Sequence, residues 1–197
     1  MKSDIYKEKI LIFDFGSQYT QLIARRIRES KVYCEIVSHK TTAEQIKKIK
    51  PKGIIFSGGP ASVYSPDSPT CDKKILNLDI PILGICYGIQ LIVYLTGGEV
   101  ERSAKREYGR MELSISDDSD LFYGLCNNSK KTTVWMSHSD KVCAVPDNFT
   151  VIAKTDNSPV AAVKDKSCRL FGVQFHPEVV HTPKGKEILG NFLFRIC

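Results

Sequence analysis

Several things are missing from this sequence, and each absence excludes a class of protein. No apolar run is long enough to cross a bilayer: the longest, such as Ile89 to Leu95, fall far short of the roughly 20 residues a spanning helix needs. The opening residues, MKSDIYKEK, carry no apolar signal core behind their charges, so export is not expected and a cytoplasmic location is. No two of the seven cysteines form a C-x-x-C pair, and their number is odd. That pattern fits a reducing compartment better than a disulfide framework or a zinc site, and no metal is expected. Basic residues are not interleaved with aromatic ones, so nucleic acid is not an expected partner. The 28 basic residues exceed the 22 acidic ones, but the densest cluster, Lys47, Lys48, Lys50 and Lys52, reads as a solvated helix face and loop. Repeats, low-complexity tracts and linkers are also absent, and 197 residues suit one domain spanning 1–197.

What is present is an alternation of short apolar runs with helical stretches. Ile10 to Phe15, Tyr33 to Val37, Gly53 to Ser57 and Ile80 to Ile85 read as strands. Between and after them, Ser17 to Ser30, Ala43 to Lys50 and Tyr87 to Leu95 read as helices, with Arg25, Arg26 and Arg28 largely on the outer side of the first. Continuous apolar strands separated by helices predict an α/β fold: a mostly parallel central sheet with helices on both faces. After Glu99 the runs MELSIS, TTVWMS, FTVIAKT, VAAVKD and LFGVQF crowd together and predict added antiparallel strands in the C-terminal half. A last helix is expected over about 184–194, burying Ile188, Leu189, Phe192 and Leu193.

In LGICYGIQL, at 83–91, glycines stand two places either side of Cys86. Cys86 falls at the carboxyl end of a predicted central strand and at the start of the next helix, the edge where parallel α/β sheets bind ligands. A nucleophile on such an elbow needs its close neighbours stripped of side chains, and a helix N-terminus favours the thiolate. A free cysteine is usually a buried small hydrophobe, and Cys34, Cys71, Cys126, Cys143, Cys168 and Cys197 take that reading or that of a plain surface thiol. The glycine bracket sets Cys86 apart. In LFGVQFHPE, His176 could exchange a proton with the thiol, and Glu178, two residues on in an extended segment held by Pro177, could fix the imidazole. His39 and His181 read as structural. Ser57-Gly58-Gly59-Pro60 offers uncluttered backbone N–H groups for an oxyanion hole, with Tyr87 N–H as the second donor.

Cys86 in GICYG, His176 and Glu178 in QFHPE, and the preceding SGGP resemble the class I (triad) glutamine amidotransferases. DFGSQYTQLIARRIRE, SGGPASVY, REYGRMEL, WMSHSDKV and GVQFHPEVVHTPKGKEIL resemble the branch that forms the glutaminase part of GMP synthetases. The likeness runs from about Lys9 to Cys197. It implies attack of the Cys86 thiolate on the side-chain amide of L-glutamine, His176 as acid and base, Glu178 as its orienter, and Gly59 and Tyr87 N–H groups as the oxyanion hole. It implies glutamine-holding positions at Gly58, Gln90 and Ser137, His138, Ser139 and Asp140, with His138 at the pocket edge and not the base. It also implies a partner, an ATP pyrophosphatase domain that uses ATP and magnesium to turn xanthosine monophosphate into GMP; no cofactor is expected in this chain. That domain's S-G-G-x-D-S loop is not matched here, since Pro60 follows Gly59 with no Asp-Ser after it. The polar segments 106–110 and 137–141 are the expected surface for a coupling signal. Four rival readings stay open: the glutaminase of another class I amidotransferase, a γ-glutamyl peptidase or hydrolase, a catalytically silent partner-binding module, and a redox sensor at Cys86.

Overall fold

The computed structural model describes residues 8–125 and 129–197, with the backbone alone at 104–106. Cys126 and the side chain of Arg106 therefore lie outside the described residues. Strands β1 (Lys9–Asp14), β2 (Tyr33–Ser38), β3 (Gly53–Phe56) and β4 (Ile82–Ile85) alternate with helices α1 (Thr20–Glu29), α2 (Ala43–Ile49) and α3 (Tyr87–Leu95). Then come β5 (Glu99–Ile115), β6 (Lys131–Ala144), β7 (Phe149–Lys154), β8 (Ala162–Asp165), β9 (Leu170–Val173) and α4 (Gly185–Asn191). All nine strands form one sheet in the order β2-β1-β3-β4-β9-β8-β7-β5-β6.

Alternation along β1 divides its side chains between two cores. Ile10 and Ile12 join Ile23, Ile27, Ile188 and Phe192 beneath α1 and α4. Leu11 and Phe13 join Ile46, Ile89 and Ile92 beneath α2 and α3 on the opposite face. Burial on both faces is why these strands read as unbroken apolar runs. Helix α1 buries Thr20, Ile23, Ala24 and Ile27, the one-sided spacing of a helix lying on a sheet. Helix α2 opens on a capping box, in which Gln45 N–H donates to Thr42 Oγ1 at 3.3 Å and Thr42 N–H to Gln45 Oε1 at 2.8 Å.

Two expectations about the strands need correction. LFGVQF is no peripheral addition: β9 pairs parallel with β4 on one side and antiparallel with β8 on the other. It is the strand at which the sheet changes direction, buried on both faces like its parallel neighbours. The antiparallel hairpin β5–β6 is also far longer than MELSIS and TTVWMS suggest, because its strands keep one face in water and carry charged residues. The final helix occupies the expected stretch but widens over Phe192–Ile196 into a π-helical turn, burying Ile188, Leu189, Phe192 and Leu193.

Candidate active site

The strand order brings three loops to one edge of the sheet. β4 ends in Cys86, and its two neighbours are β3, which ends at Ser57-Gly58-Gly59, and β9, which runs on to His176. Cys86 N–H donates to Val173 O at 2.8 Å, so the elbow is anchored to the strand that carries His176. Cys86 adopts φ 53° and ψ −104°, a conformation a side-chain-bearing residue holds only under constraint. The flanking glycines supply that constraint. A Cβ on Gly84 would stand 2.5 Å from the backbone of Gly88, and one on Gly88 would stand 2.5 Å from the Phe56 carbonyl oxygen. Any side chain at either position would push α3 off the sheet.

His176 is buried, and its Nδ1 lies 2.7 Å from Glu178 Oε1. The partnership expected from the sequence is present, but its geometry differs. The chain bends after β9 and turns at Pro177–Glu178, so the carboxylate reaches the ring across a turn and not along an extended segment. Three contacts hold that turn. His176 N–H donates to Trp135 O at 3.0 Å, Thr182 Oγ1 donates to His176 O at 2.7 Å, and Arg26 Nε donates to Glu178 O at 2.9 Å. Arg26 thus reaches inward from a helix side that its sequence position marks as outer. Tyr19 meets the imidazole edge-on at a centroid distance of 5.3 Å. Burial disfavours the charged imidazole, but the Cys86 thiolate and the Glu178 carboxylate outweigh it and raise the His176 pKa well above the usual histidine value.

A cavity of about 490 Å³ opens over Cys86. Gly59, Gln90, Ser137, His138, Ser139, Asp140 and His176 line it, together with Tyr108 and the Gly16–Tyr19 loop. Gly58 packs beside the Cys86–His176 pair; a Cβ there would be 3.4 Å from His176 Cε1 and 3.7 Å from Cys86 Cβ. The N–H groups of Gly59 and Tyr87 have no protein acceptor among the described residues. Gln90 Nε2 is held within the protein, donating to Asp140 O at 2.8 Å and Gln174 Oε1 at 3.2 Å, which leaves its Oε1 as the atom open to a ligand.

Residues 106–110 and 137–141, the expected surface for a coupling signal, lie on the paired strands β5 and β6. Glu107, His138 and Asp140 are buried, since alternate residues of the paired strands point inward. Tyr108 and Arg110 of the first segment are exposed, and Tyr108 stands at the cavity mouth. Sequence reading also missed Gln174, fully buried, whose Nε2 lies 3.8 Å from Cys86 Sγ. The signal was there: Gln174 stands two residues before His176, the spacing of side chains that share a face. Elsewhere, His39 stacks on Phe15, and His181 packs tilted against Trp135 with ring centres 4.6 Å apart. Among the described residues no group of three or more His, Cys, Asp or Glu is arranged to hold a metal, and no helix is long and apolar enough to cross a membrane.

A cysteine elbow, a buried His–Glu pair and free backbone donors on three adjacent strands describe one family, and its sequence model matches residues 11–196. The chain belongs to the class-I glutamine amidotransferases. It is 55% identical over 193 residues to a glutamine-hydrolysing GMP synthase of Caldanaerobacter subterraneus, and 53% identical over 190 residues to that of Acetivibrio thermocellus. Those matches take in 98% and 96% of this amidotransferase but 37% of either relative's length. Among solved structures, a GMP synthase component of Thermoplasma acidophilum superposes with a TM-score of 0.85 at 30% identity, covering 96% of this chain and 94% of that one. PurLQS of Thermotoga maritima shares the fold, with a TM-score of 0.75 at 15% identity.

Proposed function

We propose that this chain hydrolyses the side-chain amide of L-glutamine and passes the ammonia to an ATP-dependent synthetase partner that makes GMP from xanthosine monophosphate. The observation that carries the reading is the convergence of Cys86, the buried His176–Glu178 pair and the unpaired Gly59 and Tyr87 N–H groups on one cavity. The Cys86 thiolate attacks the amide carbon, and the charge that builds on oxygen meets the two N–H groups. The carbon–nitrogen bond breaks as His176 gives its proton to the leaving ammonia. Water then adds to the γ-glutamyl thioester, with His176 taking its proton, and glutamate leaves as the thiolate re-forms. Glu178 keeps Nδ1 paired, so Nε2 is the nitrogen that handles the proton. ATP and magnesium belong to the partner's chemistry, and the steps at Cys86 call on no cofactor.

The GMP branch is supported by the relatives that cover nearly all of this chain. Those relatives are more than twice as long as the stretch this chain matches, which leaves length for a synthetase portion. The test is steady-state glutamate release by the chain alone, then with the synthetase portion of such a relative, ATP, magnesium and xanthosine monophosphate. Slow release alone and faster release with the partner are expected. Equal turnover in both would remove the coupling, and preference for γ-glutamyl peptides or folates over glutamine would replace the reading with a hydrolase.

A further inference from the structure

Ser57 closes β3 immediately before the two glycines and is completely buried. Its hydroxyl makes two bonds. Phe15 N–H donates to Ser57 Oγ at 3.0 Å, and Ser57 Oγ donates to Gly58 O at 2.8 Å. One side chain therefore ties the loop after β1 to the plane of the Gly58–Gly59 peptide. That peptide is trans, so fixing its carbonyl fixes the N–H of Gly59 on the opposite side. Two glycines in succession would otherwise leave the peptide free to rotate, because neither residue restricts the plane. With Phe15 N–H already on the oxygen, the hydroxyl has its hydrogen left to offer. That hydrogen needs an acceptor, and the Gly58 carbonyl oxygen is the one it meets.

We infer that Ser57 is a positioning residue for the oxyanion hole: its hydroxyl pins the Gly58 carbonyl and so holds the Gly59 N–H aimed at the oxygen of the carbonyl that Cys86 attacks. This role rests on the glutaminase reading. It also accounts for the DFGS segment, whose chemistry the triad does not need. Phe15 supplies the N–H that locks Ser57, and its carbonyl oxygen would lie 2.7 Å from a Cβ on Gly59, so the two loops are packed backbone to backbone. Ser57 touches neither thiol nor imidazole, and its loss should leave both in place.

The test compares the chain with Ser57→Ala in two reactions of the same thiol. Glutamine hydrolysis develops an oxyanion, whereas alkylation of Cys86 by iodoacetamide displaces iodide at a saturated carbon and develops none. Ser57→Ala is expected to lower kcat for glutamine about tenfold to a hundredfold, short of the full loss of an oxyanion donor, with KM and the alkylation rate within about twofold. Unchanged kcat would overturn the role. An equal fall in hydrolysis and alkylation would overturn it too, since it would mean that Ser57 merely holds the site together; thermal unfolding of the variant identifies that case. A native chain that alkylates at Cys86 yet releases no glutamate, with or without partner, would overturn the glutaminase reading and the Ser57 role with it. Only the first two outcomes strike Ser57 alone.

Discussion

Two buried histidine–carboxylate pairs flank the same cavity, and their differences bear on which of them is built for the proposed proton transfer. In the first, His176 Nδ1 lies 2.7 Å from Glu178 Oε1, and the other carboxylate oxygen, Oε2, is buried with no hydrogen-bond partner among the described residues. In the second, His138 Nε2 lies 3.0 Å from Glu107 Oε2, but off the line of a ring N–H hydrogen bond. Glu107 meanwhile accepts from Thr155 Oγ1 at 3.2 Å and from Ser158 Oγ. Burial alone would raise the Glu107 pKa, but the His138 ring and the two hydroxyls outweigh it and hold it below the usual value. Glu178 turns its negative charge on one imidazole. Glu107 spreads its charge over three neighbours in different strands and loops. The first pair stands beside a thiol; the second straps β5 to β6 and to the turn after β7. Two groups of the same composition thus read as a machine and a strut.

The sharpest way to break that comparison is to remove each imidazole. His176→Ala is expected to lower kcat for glutamine by about 10⁴-fold or more, the scale seen when a nucleophile and its base act as a unit. Cys86→Ala should match it, and combining the two should add little. His138→Ala should stay within about tenfold of the native rate. Steady-state glutamate release decides it, and a His138 variant as dead as the His176 variant would exchange the two roles.

Next in size comes Glu178→Gln, which keeps shape and removes charge. A loss of about 10²- to 10⁴-fold is expected, because the imidazole keeps a neighbour but loses its orienting anion. The pH profile gives the sign. An anionic neighbour raises a histidine pKa, so removing it lowers the pKa of His176. Activity needs His176 protonated when ammonia leaves, so the native profile should hold its alkaline limb well above pH 6.5. In Glu178→Gln that limb should move to lower pH. An alkaline limb at the same pH in both proteins would deny Glu178 its electrostatic role.

Much of this contrast was legible before any coordinates. Cys86 is exposed as unusual by Gly84 and Gly88, because close backbone packing leaves a mark that a single sequence can carry. His176 and Glu178 are two residues apart, and a local pair is readable from spacing, although the turn that joins them is not. The parallel strands read easily because both their faces are apolar. The long hairpin did not, since a strand with one wet face carries charges and looks like loop. Glu107 lay in a segment that resembled a polar surface, and its burial follows from cross-strand pairing with His138, 31 places away. Arg26 and Thr182 were missed for the same reason: each acts through a backbone atom of a segment remote in sequence or brought close by a turn.

The strut should answer to stability more than to rate. Glu107→Gln leaves Ser158 and Thr155 with a weaker acceptor and removes the anion beside His138. Disturbing a buried hydrogen-bonded group costs about 1–3 kcal/mol, and urea unfolding should show the unfolding free energy lowered by that amount, with an earlier midpoint at unchanged slope. The change in kcat should stay within about tenfold. A Glu107 variant of native stability but hundredfold slower would make Glu107 part of the catalytic relay.

The smallest effect expected concerns the link between the two regions. Tyr64, on the loop that follows Gly58-Gly59-Pro60, donates its hydroxyl to Asp140 Oδ1 at 3.2 Å. Asp140 in turn gives its carbonyl oxygen to Gln90 Nε2 at 2.8 Å, so the loop, the β6 wall and α3 meet at one residue. Tyr64 is 43% exposed, and water can take the place of its partner. A bond so placed contributes about 1 kcal/mol or less. Tyr64→Phe should therefore raise KM for glutamine no more than about fivefold and leave kcat nearly unchanged, because on the proposed reading the wall it steadies would hold the substrate without bonding to the reacting carbon. A fall in kcat larger than the rise in KM would place Tyr64 with the Gly59 donor, among the groups that must stay aimed during the reaction, and would carry the boundary between machine and strut across the cavity to β6.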